Sequence, residues 1–66
     1  MTDPRGPEYR QIRELAHVTI SQVAADADLH HTTLSRWERG ERDISQATYD
    51  RLVSVLSAII NERGAA

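Results

Sequence analysis

Between His30 and Arg42 the chain carries a row of side chains suited to hydrogen bonding with nucleic acid. An arginine such as Arg36 can fork onto guanine O6 and N7, a threonine such as Thr32 can donate, accept or touch a thymine methyl, and His31 can donate or accept according to its tautomer. On a helix turning about 100° per residue, His31, Thr32, Ser35, Arg36 and Arg39 lie opposite Leu34 and Trp37. Burying the apolar pair therefore turns the polar set outward together. A recognition helix enters the major groove with its N-terminal residues at the base edges, which makes His31, Thr32 and Arg36 the candidate base readers. Candidate phosphate contacts flank them: the backbone N–H groups of Thr19 and Ile20, the side chains of His30, Thr33 and Ser35, and Arg39 and Arg42. Every one of the 8 cationic residues is arginine, which favours forked, directional contacts over diffuse charge.

The elements that must position this face can be read from local signals. Residues 1–6 have no periodic pattern and read as a flexible lead-in, followed by a domain over 7–63 and a frayed tail over 64–66. Pro7 suits the first position of a helix running to about His17, with Tyr9, Ile12, Leu15 and Ala16 on its inward face. Thr19, with Gln22 three residues on and Val18 paired with Val23, predicts a second helix over about Ile20 to Ala27. Asp28 tolerates a left-handed stop. His31 to about Arg39 forms a third helix, ended by Gly40. Ser45 or Asp43 caps a longer last helix reaching about Glu62. Its distal Val55, Leu56, Ile59 and Ile60 are expected to project an apolar stripe, for which a second copy of the chain is the natural cover.

Two short helices joined by a tight turn make a helix-turn-helix. The run from Thr19 to Asp43 resembles the phage repressor and Cro-like helix-turn-helix family, above all in Val23-Ala24 before the turn and in Ser35, Glu38 and Gly40 closing the third helix. The resemblance covers about residues 8–56. It implies an all-α fold, a compact four- to five-helix bundle of the lambda-repressor-like type with a long C-terminal helix. It also implies an ion pair between Arg13 on the first helix and Glu38, and a DNA-binding transcriptional regulator, a repressor, working as a homodimer on a pseudo-palindromic operator. Two positions depart from the family: Ile20 stands where glutamine is frequent, and Asp28 where glycine is usual.

Composition limits the alternatives. The 66 residues carry a formal net charge of −2, the reverse of a basic nucleic-acid binder, so DNA binding must rest on where charge lies rather than on its sum. With no cysteine there is neither a disulfide framework nor a thiolate metal site. Adjacent His30 and His31 diverge on a helix and lack further ligands, so no metal and no cofactor is expected. A small helical domain without a concave pocket or Gly-rich phosphate loop is not read as an enzyme. Trp37, three residues from Leu34 on the inward face, reads as core rather than as a base-stacking platform. No apolar run is long enough for a membrane span and the opening residues lack a signal-peptide core, so a cytoplasmic chain is expected; the family resemblance further implies a bacterial cell, at the nucleoid, and a host or phage product. The rival reading keeps the scaffold but makes the main partner a protein, as for an antitoxin or anti-repressor, engaged through the last helix.

Overall fold

The computed structural model describes residues 3–64. Four helices follow one another: α1 (Arg5–Leu15), α2 (Ile20–Asp26), α3 (His31–Glu38) and α4 (Gln46–Gly64). No strand occurs among the described residues. The caps that begin these helices are local. Thr19 Oγ1 accepts the Gln22 N–H at 3.1 Å, and Ser45 Oγ accepts the Thr48 N–H at 3.1 Å, each satisfying a donor that the first helical turn leaves without a partner.

The first three helices end in the same way. His17, Asp28 and Gly40 all take positive φ, at 58°, 56° and 76°. In each case the next residue's N–H reaches back to the carbonyl five before it: Val18 to Arg13, Leu29 to Ala24, and Glu41 to Arg36. These are Schellman stops. Glycine adopts this conformation freely, whereas an L-residue gives up about 1–2 kcal/mol there. Replacing Asp28 with glycine is therefore expected to stabilise the domain by about 0.5–1 kcal/mol, the gain being reduced by glycine's greater freedom when unfolded. A thermal melt showing an unchanged or lower midpoint would argue against strain at this turn.

Trp37 is the centre of the core. Its fully buried ring lies against Tyr9 and Tyr49, with Leu34, Val18, Val23, Ala24, Ala27, Leu52, Leu56 and Ile59 completing the buried set. The Tyr9 hydroxyl donates to the Leu52 carbonyl at 2.8 Å, linking α1 to α4, and burial pushes this phenol well above its ordinary pKa.

Three expectations need correction. Helix α1 begins at Arg5 rather than Pro7, and Asp3 and Gly6, assigned to a flexible lead-in, are buried. Ile12 and Leu15 do not face inward but are 53% and 82% exposed. The inward line on α1 is Gly6, Tyr9 and Arg13, because pairing of Arg13 with Glu38 sets the rotation of the helix. Finally, Leu56 and Ile59 are core residues and Val55 packs half-buried against them, leaving only Ile60 of the expected stripe exposed. The last helix does not project freely. Its Arg63 guanidinium donates to the carbonyls of Ala16 and His17, docking the distal half of α4 on the turn after α1. Met1, Thr2, Ala65 and Ala66, which fall in the expected lead-in and tail, lie outside the described residues.

Candidate nucleic-acid interface

The α3 face that carries the candidate base readers is held from behind by an ion pair that spans the fold. Arg13 Nε and one terminal nitrogen each donate to a Glu38 carboxylate oxygen at 2.8 Å. The other terminal nitrogen donates to the Val18 carbonyl at 2.7 Å. This single guanidinium thus fixes the end of α3 to α1 and to the loop leading into α2. The bidentate bond to Glu38 raises the Arg13 pKa further, as expected when the charged form is stabilised by its hydrogen bonds.

A second anchor involves residues in which the sequence showed no such role. The Asp3 carboxylate accepts the Trp37 indole N–H at 2.9 Å. It also accepts the Arg5 backbone N–H at 3.0 Å and the Arg5 guanidinium at 2.9 and 2.7 Å. Arg5 continues to the Ile44 carbonyl and the Gln46 side chain and lies 4.6 Å over the Tyr49 ring. The available signal was Trp37 itself, since a buried indole N–H requires an acceptor. Hydrogen bonding from Arg5 holds the Asp3 carboxyl well below the usual carboxylate range. Its stabilising contribution is fully present above that range and is lost progressively as pH falls from there through the lowered value.

With Leu34, Trp37 and Glu38 buried, the expected polar face does turn outward. His31 and Arg36 are exposed, and Thr32, Thr33 and Ser35 are half-buried. His30 is exposed at the N-cap of α3, where its Nδ1 accepts the Thr32 N–H at 3.2 Å, and its ring stacks on His31. At the start of α2, Thr19 is exposed while the Ile20 side chain packs against the core, so any role of Ile20 towards phosphate falls to its backbone N–H. Arg39 and Arg42 are exposed beyond the end of α3.

The arginines divide sharply by partner. Arg5, Arg10, Arg13, Arg39, Arg51 and Arg63 each hold a carboxylate or a carbonyl of the chain. Among the described residues, Arg36 and Arg42 make no side-chain hydrogen bond or ion pair. Arg39 meets Glu41 at 3.1 Å with both side chains about half exposed, an arrangement that contributes little and exchanges readily. Among the described residues, both arginines without a partner thus lie on α3 or just beyond it, while Arg10 with Glu14 on α1 is held as loosely as Arg39. A shallow groove of about 200 Å³ lies elsewhere, between α1 and α4, and is smaller than typical small-molecule sites.

Two helices crossing at a tight turn, with the second exposing polar side chains and burying its apolar ones, define a helix-turn-helix module. A helix-turn-helix family model matches residues 10–62, and the chain belongs to this lambda-repressor/Cro-like family of DNA-binding transcription regulators. The family is typically non-enzymatic. Comparisons with curated proteins and with solved structures found no match. No helix among the described residues is long and apolar enough to cross a membrane.

Proposed function

We propose that this chain is a sequence-specific repressor that inserts α3 into the major groove of double-stranded DNA, in the cytoplasm of a bacterium, as a host or phage product. His31, Thr32 and Arg36 read base edges. The backbone N–H groups of Thr19 and Ile20, the side chains of His30, Thr33 and Ser35, and Arg39 and Arg42 hold the phosphates on either side. The observation carrying this reading is the arginine distribution: in an acidic chain, the two arginines without an intramolecular partner among the described residues lie on α3 and just past its end.

The two arginines should fail differently. Arg36→Ala is expected to cost about 1–3 kcal/mol of binding and to relax preference at one base position. Arg42→Ala should weaken binding to all sequences and reduce the salt slope by about one. Gel shifts against the DNA upstream of the chain's own gene, over a range of salt, separate these outcomes. Equal, sequence-blind losses from both substitutions would count against the assigned roles.

With only Arg39 and Arg42 as arginines on phosphate in each subunit, binding calls for two subunits on a pseudo-palindromic operator, with recognition helices about 34 Å apart. With Leu56 and Ile59 in the core, the exposed large apolar side chains are Ile12, Leu15, Val53 and Ile60, of which Ile12, Val53 and Ile60 gather around the α1–α4 groove and are the proposed face for self-association. Ile60→Asp is expected to abolish cooperative filling of a two-half-site operator while leaving binding to one half-site intact. Unchanged cooperativity would remove this face from the dimer. The protein-partner reading would have to use the same α4 face, since Leu56 and Ile59 are buried while Ile60 is exposed and Val55 half-buried.

A further inference from the structure

We infer that His30 is a positioning residue that sets base preference through His31; this rests on the reading of α3 as the helix in the groove. Two observations meet at this side chain. Its Nδ1 accepts the Thr32 backbone N–H at 3.2 Å, and its ring stacks on His31 with centroids 4.8 Å apart and planes inclined by 23°. An Nδ1 that accepts a hydrogen bond carries no proton, so the neutral His30 ring bears its proton on Nε2. The cap therefore fixes the tautomer and the orientation of the His30 ring together.

The consequence falls on His31. It is the first residue of α3, where an exposed imidazole would otherwise be free to sample several rotamers. A side chain that must be immobilised on binding loses affinity and discrimination, whereas one held in place beforehand avoids much of that loss. The His30 ring provides the hold, since its backbone is fixed by the cap and by the Thr33 and Leu34 N–H groups, which both donate to the His30 carbonyl. His30 thus acts on the reader as well as offering its own Nε2–H to phosphate. These roles leave different marks. A phosphate contact weakens binding to every sequence alike, whereas a positioning role changes preference at the one base pair that His31 meets.

The test is selection from a random duplex pool with the wild-type chain, His31→Ala, His30→Asn and His30→Ser. Asparagine and serine cap a helix well, so the thermal midpoint should be close to wild type, while the stacking ring is gone. His31→Ala identifies the base position concerned. The expected result is that His30→Asn and His30→Ser each lose preference at that same position by about fivefold, the scale of ordering one side chain, with preferences elsewhere retained. In the free protein, the ring-current displacement of the His31 ring protons should disappear in both His30 variants. A base-preference profile identical to wild type in the two cap-preserving variants, whether or not overall affinity falls, would overturn the inference. So would a wild-type His31 without ring-current displacement. Failure of the wild-type chain to enrich any sequence would instead overturn the DNA-reading function on which the inference depends.

Discussion

Replacing Glu38 with alanine is expected to leave the domain largely unfolded at physiological temperature. The Glu38 side chain is 1% exposed and that of Arg13 9% exposed, so the substitution leaves a buried guanidinium with only the Val18 carbonyl for compensation. Breaking one partner of a buried pair costs about 3–5 kcal/mol, because an uncompensated charge remains. A single core in a chain of this size contributes a net stability of only about 3–5 kcal/mol, so the two quantities nearly cancel. Exchanging both partners for apolar side chains of similar volume, Arg13→Met with Glu38→Leu, should be far milder, since no charge is stranded. Urea denaturation followed by circular dichroism reads both variants. A Glu38→Ala urea midpoint close to that of wild type, or a double variant as damaged as the single, would show that the pair does not hold α1 and α3 together.

The second large effect is expected at Gly6, against helix propensity. Alanine is the better helix former by about 0.5–1 kcal/mol, and Gly6 lies within α1, so local reasoning predicts stabilisation by Gly6→Ala. Packing predicts the reverse. A Cβ built there would stand 1.9 Å from the Trp37 carbonyl oxygen, 2.7 Å from its carbon and 3.3 Å from Glu38 Cα. All three are backbone atoms, so no side-chain rotation can relieve the contact and α1 must move off α3. Overpacking of this kind costs about 1–3 kcal/mol, and a backbone obstacle places it at or beyond the upper end. Because α1 is the support behind α3, the helix proposed to read DNA, DNA affinity should fall together with thermal stability. A Gly6→Ala variant as stable as wild type would contradict the close approach of the two helices.

These two sites mark the limit of what the residues disclose alone. Thr19, Asp28, Gly40 and Ser45 were legible as helix boundaries because a cap or a left-handed stop is decided within a few residues of itself. The outward polar face of α3 was legible for a similar reason: Leu34 and Trp37 leave little choice of rotation. On α1 the apolar period misled. Ile12 and Leu15 have the spacing of a core stripe, yet the inward position went to a charged residue because its partner waits on another helix, and only the Arg13–Glu38 resemblance pointed there. Asp3 and Gly6 carried no local signal at all, since their roles depend on an indole and a carbonyl more than thirty residues away. Leu56 and Ile59 were placed on α4 correctly but assigned to the wrong surroundings, because docking of its far end by Arg63 is a tertiary contact.

The claim on which the account turns is that α3 reads base edges in the major groove, with Arg36 on guanine. Selection of bound sites from a random duplex pool, performed in parallel with the wild-type chain and with Arg36→Ala, tests it most directly. The account predicts a pseudo-palindromic motif with half-sites about one helical turn apart and a guanine in each half-site whose enrichment disappears in the variant. Enrichment of no motif, or of the same motif with its guanine equally preferred by Arg36→Ala, would contradict it.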